Sequence, residues 1–593
     1  MKNKALEIVK SKYFLVFVAV LVLGIFLRTY HFPDWLHFEL DQSRDAKVID
    51  LAIENGVSNL PLLGPKAAGT FLRLGPIFYY FTYISAKVFG PTPSGMAAIM
   101  AVFGILAIPA FYFLARRYFG QRKSILLTFL LSVSLFLVMY SRFSWNPNPL
   151  PLFVILTFYS LLRAVDREER NQGWWLVATA VFLAITTQFH FLAFLAIPAI
   201  AVLFLAYKRP KIKLKFWGVA LSAVLLFYIP MAINEVRTGG DNAKEFVEAI
   251  AGKSSKSPHA SSEKFIKNFY EHSMAYVVIS SGYEGTQSWT IRKIGTFNFQ
   301  FLCTDKCKDK LKWGYLGMLF IILSLFLAVR RFWQEEDQKK KDFLALVLLW
   351  FAVPYIMFIP LAYDISPRFF LMTAPVPFIF LGLITQLGER ILPKKIGLAV
   401  SFLIIFVLAG LNLGYINQRF SELRRAPSEA VESAPDRILK ERQRVTLEQQ
   451  YAIIDYVENI YRKNGFPVYL NSEPFYRRSF LYHIDKKNIP RDDLRNTSNA
   501  RKVYQEGNYF LIYPTLSNYE KDIAGYEKEY EVIDKKPFGT LTLIQLSPRE
   551  SSITDQRQIF EDKKTKDTSG AAKRYTWEEI FNDGSEDESG TDN

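Results

Sequence analysis

Cysteine and histidine are scarce in this sequence. Its 593 residues include two cysteines, Cys303 and Cys307, and six histidines. Two thiols are too few for a disulfide scaffold or a multi-cysteine metal site, although a bond between these two is chemically possible outside the cytosol. No group of histidines or carboxylates shows metal-ligand spacing. We therefore predict no required metal or other cofactor, with a divalent ion held by the acidic residues of the first loop as the alternative.

Polar linkers between separate soluble cores are also missing. Half of the residues are apolar, and they are gathered into blocks of about 17 to 23 residues, the length that crosses a hydrocarbon core of about 30 Å as a helix. The twelve blocks lie at 13–30, 74–90, 94–115, 124–140, 148–165, 174–189, 191–207, 213–234, 313–332, 343–362, 367–387 and 396–416. Each crossing block must be helical, because lipid offers a bare backbone amide no partner. The predicted fold class is an all-α polytopic membrane protein with about 11 or 12 transmembrane helices.

A net charge of +16 could indicate a nucleic-acid partner. The Lys and Arg residues, however, lie at the ends of the apolar blocks, where membrane topology requires them. We therefore predict membrane lipids, and no nucleic acid, as partners.

The distribution of Lys and Arg orients the helices. Connectors 141–149, 189–191 and 363–368 hold at most one basic residue each, whereas the segments that alternate with them are dense in basic residues. Those segments are Lys2–Lys12, Arg116–Lys123, Arg163–Arg170, Lys208–Lys215, Arg330–Lys341 and Arg390–Lys395. The positive-inside rule places the basic segments in the cytoplasm. The alternation holds if one block, predicted to be 74–90, does not cross, which leaves the N-terminus cytoplasmic and the C-terminus outside the cell membrane.

Hydropathy divides the chain into three predicted parts. Residues 1–420 form the transmembrane domain, with outer loops at 31–73 and 235–312. Residues 421–548 form a small extracytoplasmic α/β domain, and residues 549–593 are polar enough to predict a disordered tail. The predicted elements of the α/β domain are helices near Leu447–Arg462 and Phe475–His483 and strands near Val468–Asn471, Tyr509–Tyr513 and Leu541–Leu546.

The first outer loop carries a group of acidic residues. Residues Phe38–Lys47 open an amphipathic helix that Gly56 would stop, and such a helix would lie on the membrane surface. Asp41 occupies the expected N-cap position, and Asp45 lies four residues later on the same face. In one interpretation Asp41 caps the helix and Asp45 is solvated. In the other, a carboxylate at the water boundary accepts a proton from a hydroxyl that attacks a sugar.

Four short motifs occur in the order known from one enzyme family. They are Asp41-Gln-Ser-Arg44-Asp-Ala46, Gly75-Pro-Ile-Phe-Tyr-Tyr80, Ala115-Arg-Arg-Tyr-Phe-Gly120 and Ser366-Pro-Arg-Phe-Phe-Leu371. Over residues 13–416 the chain resembles glycosyltransferase family 39, the polyprenyl-phosphate-sugar transferases of the GT-C fold, which include protein O-mannosyltransferases and the bacterial aminoarabinose transferase. The resemblance implies a GT-C-like fold, an inverting transfer and Asp41 as the catalytic carboxylate.

The first motif departs from the family pattern at two positions. Gln42 replaces the usual Glu, and Asp45 stands where an aromatic residue is common. We therefore expect Asp45 or Glu39 to supply the second carboxylate.

Further polar residues in the outer loops are candidates for contact with the sugar or the carrier phosphate. A guanidinium suits an oxyanion that it can bind with two nitrogens, but each cation could equally anchor a helix end or remain solvated. For the histidine, a helix cap or a packing role at the turn between two blocks is the alternative. The candidates are Arg44, Lys66, Arg73, Arg142, Asn146, His190 and Arg368.

The sequence thus predicts an inverting glycosyltransferase. It would move a monosaccharide from a polyprenyl-phosphate carrier to a hydroxyl acceptor on a protein, lipid or glycan at the outer face. The alternatives are a transporter or lipid-linked sugar flippase, and an oligosaccharyl or polysaccharide polymerase of related fold. Transporters keep ionisable residues near the middle of the membrane on broken helices. Here the acids gather in an outer loop, which favours the enzyme.

Overall fold

The computed structural model describes most of the chain. The described residues are 12–67, 70–253, 259–284, 290–293, 299–302, 311–363, 365–432, 438–439, 441, 443–494, 502–560 and 573–582. Cys303 and Cys307 lie outside them, as does most of the basic N-terminal segment.

Helices dominate the described residues. They are α1 (Lys12–Thr29), α2 (Leu40–Asn55), α3 (Ile77–Phe89), α4 (Pro93–Ala115), α5 (Gln121–Ser132), α6 (Leu135–Tyr140), α7 (Leu150–Val165), α8 (Gln172–Thr187), α9 (Phe191–Lys208), α10 (Leu214–Thr238), α11 (Asp241–Lys253), α12 (Ser261–Ser281), α13 (Leu311–Gln334), α14 (Gln338–Phe358), α15 (Val376–Ile391), α16 (Lys394–Arg425), α17 (Leu447–Asn464), α18 (Arg477–Lys486), α19 (Glu520–Ala524) and α20 (Trp577–Asn582). Short 3₁₀ turns cover Val57–Asn59, Ile359–Leu361, Pro367–Thr373 and Glu550–Ser552.

Seven helices in the described part of the chain are long and apolar enough to cross a membrane. They are α1, α4, α9, α10, α13, α14 and α16. The turn at Pro367–Thr373 and α15 would add an eighth crossing, bent by 58°. The predicted class, an all-α polytopic membrane protein, is confirmed. Helices α7 and α8 have 16 residues each and extend about 24 Å, less than the hydrocarbon thickness.

The apolar block at 124–140 is one predicted helix but two observed ones. The chain breaks between α5 and α6, where the Ser134 hydroxyl donates to the Ile279 carbonyl at 2.6 Å. The Leu135 amide donates to the Asn412 side chain at 2.8 Å. These side-chain and backbone partners from other helices satisfy the polar groups at the break, so the interruption is tolerated at membrane depth.

Helix α3 is the element formed by the block predicted not to cross. Its 13 residues extend about 20 Å, too short for a hydrocarbon core. Ser85 ties it to α4, because its hydroxyl donates to the Gly95 carbonyl at 2.6 Å and accepts from the Ile99 amide at 3.0 Å. The length of α3 supports the prediction that block 74–90 does not span.

The second predicted outer loop, 235–312, contains regular structure. Helix α12 packs against α13, where Gly317 allows a close approach, since a Cβ there would lie 3.0 Å from the Ser273 carbonyl oxygen. A buried ion pair, Lys267 Nζ to Glu271 at 2.8 Å, lies on α12. These charged residues lower the hydropathy of the segment, which is why the sequence indicated a loop.

The C-terminal domain contains a five-stranded mixed sheet. Its strands are β3 (Val468–Ser472), β4 (Arg491–Asp493), β5 (Asn508–Pro514), β6 (Tyr530–Phe538) and β7 (Leu541–Pro548), after the separate antiparallel pair β1 (Thr290–Lys293) and β2 (Phe299–Leu302). The strand order is β4-β3-β5-β7-β6, with β3 parallel to β4 and β5, and β7 antiparallel to β5 and β6. All seven residues of the central strand β5 are buried. The two predicted helices and three predicted strands form at these places, whereas the exposed strand β6 and the short β4 were missed.

The C-terminal domain packs directly on the first outer loop. Helix α18 lies against α2, where Lys47 Nζ contacts Asp485 at 2.6 Å and Lys486 Nζ contacts Asp50 at 2.9 Å. The Gln450 side-chain amide donates to the Phe38 carbonyl at 2.9 Å. The helix that carries Asp41 is therefore fixed by residues more than 400 positions away.

A buried group of charged residues joins the same regions and is called here the junction cluster. It comprises His37, Arg419, Glu422, Glu441 and Arg444, all less than a tenth exposed. Glu441 contacts His37 Nδ1 at 2.6 Å, Arg444 at 3.2 Å and also Arg419, while Arg444 Nε contacts Glu422 at 2.8 Å. The junction cluster links the first loop, the end of α16 and the start of the C-terminal domain.

Two stretches of the predicted tail, 549–560 and 573–582, contact other parts of the chain. Near the sheet domain, the Gln505 amide donates to the Asp555 carbonyl at 3.0 Å, and the Thr554 amide donates to the Val503 carbonyl at 2.9 Å. Residues 573–582 lie against the first outer loop and end in α20. Composition alone does not register such backbone pairing with distant segments.

Candidate active site

Helix α2 begins two residues earlier than the sequence indicates. Glu39 occupies the N-cap, and its backbone amide donates to the Gln42 side chain at 3.2 Å. A Gln three residues after the N-cap is the usual source of this bond. Asp41 therefore lies in the first turn, and its carboxylate is free of the capping role that the sequence assigned to it.

Arg44 holds two carboxylates at once. Its Nε and Nη2 donate to the two oxygens of Asp45 at 2.9 and 3.0 Å, and its Nη1 donates to Asp41 Oδ1 at 3.0 Å. This two-nitrogen contact to Asp45 is the strongest geometry for an Arg–carboxylate pair. Asp41, Arg44 and Asp45 are called here the groove cluster.

Asp45 is buried rather than solvated, with 2% of its side chain exposed. The Tyr79 hydroxyl donates to Asp45 Oδ1 at 2.9 Å. Burial raises the pKa of the Asp45 carboxyl above its ordinary value, against the opposing effect of Arg44. Asp45 therefore positions Arg44, and it does not face the space in which a substrate would bind.

Asp41 is half-exposed, and both of its oxygens have a partner. Trp145 Nε1 donates to Asp41 Oδ2 at 3.1 Å, and 39% of the Asp41 side chain remains accessible. The sequence indicated an interfacial anchor at Trp145 and missed this contact, although the connector that contains it is rich in polar residues. The carboxylate is thus oriented and still open to solvent.

Asp41 and Arg44 lie in a groove of about 600 Å³ that is partly open to solvent. Six of the predicted site residues line it, together with apolar side chains. The lining residues are Asp41, Arg44, Lys66, Ala67, Leu74, Trp145, Asn146, Pro147, His190, Phe191, Leu192, Leu361, Arg368 and Phe369.

Two cations of the groove have no carboxylate partner among the described residues. The Arg368 guanidinium lies over the rings of Trp145 and Phe369, 4.9 and 5.5 Å from their centres. Its Nε is buried without a hydrogen-bond partner in that part of the chain. The Lys66 ammonium lies 5.2 Å from the centre of the Phe71 ring. Both charges are therefore available to an anion.

Asn146 and His190 form the wall of the groove by capping and packing. The Asn146 side-chain amide donates to the Phe189 carbonyl at 2.6 Å. His190 is the N-cap of α9, and its Nδ1 accepts from the Leu192 amide at 3.2 Å. The capping interpretation therefore accounts for His190, and the remaining edges of both residues border the groove.

Arg142 and Glu39 lie outside the groove. Arg142 donates to the carbonyls of Leu27 and Tyr30 at 3.1 and 2.8 Å, where it satisfies the C-terminal end of α1. Glu39 contacts His37 at 3.3 Å. Their local sequence gave no sign of these partners, which come from other elements or from the turn before α2.

Arg73 is buried and does not line the groove. Its backbone amide and carbonyl are paired with the Asn242 side chain at 2.8 and 3.1 Å. Arg73 therefore fixes the hairpin that carries Lys66.

Two glycines allow this hairpin to form. The Gly64 amide donates to the Leu74 carbonyl at 2.7 Å, and a Cβ on Gly64 would lie 2.1 Å from the Gly75 carbonyl oxygen. A Cβ on Gly75 would lie 2.2 Å from Gln188 Oε1. The close contacts bring Lys66 to the groove and explain the glycine that opens the motif Gly75–Tyr80.

No three His, Cys, Asp or Glu side chains meet in a possible metal site within the described ranges. Asp41 and Asp45 are joined through Arg44, whereas Glu39 contacts His37 instead.

Known proteins resemble parts of this chain. Residues 74–233, which are 160 of the 593, match the family described as dolichyl-phosphate-mannose-protein mannosyltransferase. An uncharacterized protein of Aquifex aeolicus (strain VF5) is 28% identical over 221 residues, which make up 36% of this chain. The chain spans 42% of that relative's length. The family match confirms the resemblance to transferases that use polyprenyl-phosphate sugars.

Solved structures of low sequence identity also align with most of the chain. The oligosaccharyltransferase AglB from Archaeoglobus fulgidus, in complex with an inhibitory peptide and a dolichol-phosphate, is 14% identical with a TM-score of 0.49. The alignment covers 92% of this chain and 77% of the AglB chain. ArnT from Cupriavidus metallidurans, bound to undecaprenyl phosphate, is 12% identical with a TM-score of 0.40, covering 91% and 99%.

Proposed function

We propose that this protein is an inverting glycosyltransferase that moves a monosaccharide from a polyprenyl-phosphate carrier to a hydroxyl acceptor. One observation carries the proposal. A single groove holds a half-exposed, oriented carboxylate, Asp41, and two cations without carboxylate partners in the described chain, Lys66 and Arg368. A base and an anion-binding pair side by side are what displacement of a phosphate by an alcohol requires.

The reaction assigns a role to each of these groups. The acceptor oxygen bonds to the anomeric carbon of the sugar while the bond from that carbon to the phosphate oxygen breaks. The hydroxyl proton passes to Asp41. The departing phosphate gains negative charge, which Arg368 and Lys66 stabilise. Inversion at the anomeric carbon follows from a single displacement and from the family resemblance.

Arg44 supports this chemistry without binding the phosphate. Its guanidinium is shared between two carboxylates, so its positive charge is already compensated. Together with Trp145 it fixes the direction of the Asp41 carboxylate before a substrate arrives. Such preorganisation lowers the entropic part of the reaction barrier.

The composition of the groove suits a lipid-linked donor. Leu74, Leu192 and Phe369 add apolar surface beside the charged groups. Part of the matched family segment, 74–233, lines the groove, and the description of that family names a lipid-phosphate sugar.

We place the groove on the outer side of the membrane. Its residues come from the first loop and from connectors near 145, 190 and 365. The basic segments predicted to be cytoplasmic lie at the opposite ends of the same helices, as in α9, which begins beside the groove and ends at Lys208.

The decisive experiment is transfer of labelled sugar by the purified protein in liposomes that contain polyprenyl-phosphate sugars. We expect Asp41→Asn to reduce transfer by about 10² to 10⁴-fold, since it removes the general base, while binding of the carrier is retained. Glu54→Gln, at an exposed position of the same helix, is the matched control and should leave the rate unchanged. Full activity of Asp41→Asn would refute the proposal.

The same preparation separates the other predicted functions. A flippase would move the labelled lipid between leaflets without transferring its sugar, and Asp41→Asn would leave that movement intact. Donors that carry one sugar or many would distinguish a monosaccharide transferase from an oligosaccharyl or polysaccharide polymerase.

A further inference from the structure

A segment far along the chain, Lys573–Asn582, docks beside the candidate active site and is called here the docked segment. The Leu62 amide donates to the Tyr575 carbonyl at 2.8 Å, and the Trp577 amide donates to the Leu60 carbonyl at 3.2 Å. These backbone bonds add the docked segment to the edge of the first loop in the manner of an extra strand.

A buried asparagine clamps the same segment from the transmembrane domain. The Asn234 side chain, which is inaccessible to solvent, accepts from the Tyr575 amide at 3.0 Å and donates to the Lys573 carbonyl at 3.1 Å. An asparagine amide can satisfy a donor and an acceptor of one backbone at once. Asn234 therefore fixes the position of the residue between them, Arg574.

Side chains add specificity to the docking. Trp577 Nε1 donates to the Tyr80 hydroxyl at 3.0 Å, and Glu578 accepts from the side chains of Asn59 and Ser58. Tyr80 belongs to the motif Gly75–Tyr80, which follows the first loop and opens α3. The docked segment thus contacts the elements that build the groove.

Arg574 reaches the hydroxyl that supports the groove cluster. Its Nη1 lies 3.4 Å from the Tyr79 hydroxyl oxygen, and its guanidinium carbon lies 5.6 Å from the centre of the Tyr79 ring. An arginine can only donate, so the Tyr79 oxygen accepts and its own hydrogen is directed to Asp45. Burial raises the pKa of Tyr79 to about 12, so the hydroxyl keeps its proton at neutral pH.

We propose that Arg574 is a positioning residue for the transfer reaction, acting through Tyr79 and Asp45 on the orientation of Arg44 and Asp41. The inference rests on the proposed function. Arg574 does not line the groove, and its effect passes through consecutive hydrogen bonds. Each bond in such a chain polarises and strengthens the next.

The same contacts predict the effect of losing Arg574. Without Arg574, the Tyr79 hydroxyl can rotate away from Asp45. Asp45 is almost fully buried, so a lost donor is not replaced by bulk water. Arg44 would then hold Asp45 less rigidly, and the Asp41 carboxylate would leave its oriented position for part of the time.

The test compares full-length variants in the liposome transfer assay. We expect Arg574→Gln to lower kcat about tenfold, the factor that corresponds to one hydrogen bond involving a charged group, while the KM for the donor stays the same. Lys573→Gln removes the same charge from the neighbouring residue, whose ammonium contacts Tyr575 instead, and should leave kcat unchanged. Arg574→Lys should recover part of the lost rate.

A double-variant cycle tests the path itself. Tyr79→Phe should also lower kcat, and adding Arg574→Gln to it should cause little further loss, because both changes break the same chain of contacts. Additive losses, or a loss in Arg574→Gln that only follows the amount of folded protein, would overturn the inference.

The two proposals can fail separately. If the wild-type protein transfers no sugar from any donor, the proposed function fails whatever Arg574 does. If the wild type transfers sugar and Asp41→Asn does not, but Arg574→Gln behaves like Lys573→Gln, the inference alone is wrong.

Discussion

The groove cluster and the junction cluster contain the same kinds of side chain, and in the first loop His37 and Asp41 are only a few residues apart. The two clusters nevertheless differ in how far their side chains are exposed to solvent. In the junction cluster, Glu441 is 3% exposed and contacts three cations. In the groove cluster, Asp41 is 39% exposed and keeps an open face. Both lie beside α2, so the difference in exposure does not come from the kinds of residue present.

This difference separates a charge group that holds domains together from one that can act on a substrate. The carboxylates of the junction cluster are compensated by arginines and a histidine on all sides. The groove cluster compensates Arg44 with two carboxylates. Among the described residues no ion pair joins Lys66 or Arg368 of the same groove to an acid, and Asp41 acts on Arg368 only as a more distant charge. We therefore expect changes in the first group to alter stability and changes in the second to alter activity.

The largest expected effect on stability comes from breaking the junction cluster. Glu441→Gln removes the carboxylate shared by His37, Arg419 and Arg444 and leaves these buried cations with less compensating charge. We expect the free energy of unfolding to fall by about 3 to 5 kcal/mol, measured by denaturant unfolding of the purified protein in micelles. Asp41→Asn is the counterpart and should change that free energy by less than about 0.5 kcal/mol. Equal losses in the two variants would contradict the distinction.

A smaller effect should follow from removing a cation of the groove. Arg368→Ala should weaken binding of the polyprenyl-phosphate donor about tenfold or more, because it removes a charged hydrogen-bond donor to the phosphate. Equilibrium binding of labelled carrier measures the effect, and Arg368→Lys should lose less. Arg209→Ala, exposed at the other end of α9, is the control. Unchanged carrier binding in Arg368→Ala would remove this residue from the phosphate site.

The smallest expected effect is a pH dependence that belongs to the junction cluster. Burial alone would lower the pKa of His37, but Glu39 and Glu441 outweigh it and raise the pKa to about 10 from 6.5. A raised pKa stabilises the folded state fully below pH 6.5, and this contribution is lost as the pH rises toward 10. We expect stability to fall across that window by at most about 1.4 kcal/mol per pH unit.

Thermal unfolding between pH 6 and 10 measures this dependence. His37→Gln should be less stable at the lower end of the range and should show a flatter profile. A profile with the wild-type slope in His37→Gln would assign the pH dependence to another group.

Much of the fold could be predicted from the sequence because hydropathy and charge are local properties. The apolar blocks became helices, and the short apolar runs at β5 and β7 predicted strands at the right places. The break between α5 and α6 could not be predicted, because it depends on Asn412 and on Ile279, which are remote in sequence. Helix α12 was missed because its charged residues lower the hydropathy of the segment.

The sequence singled out more of the residues that line the groove than of the residues that hold those side chains in place. Asp41, Arg44, Lys66, Asn146, His190 and Arg368 line one space, and their individual roles stay predictions. Arg142 looked equally suitable in sequence, but it satisfies the end of α1 instead. Arg574 gave no signal, because its partner Tyr79 lies 495 residues away and its surroundings are polar.

The packing of α18 on α2 has a consequence for the order of assembly. Lys47 and Asp485 are separated by 438 residues, and a ribosome that adds about 5 to 20 residues per second needs about 20 to 90 s to make that stretch. During this interval the helix that carries Asp41 can pack on α3 and α4 but lacks its ion pairs with α18. A chain interrupted before α18 would lack these ion pairs, so we expect Asp41 to be held less firmly until the late domain packs on the early loop.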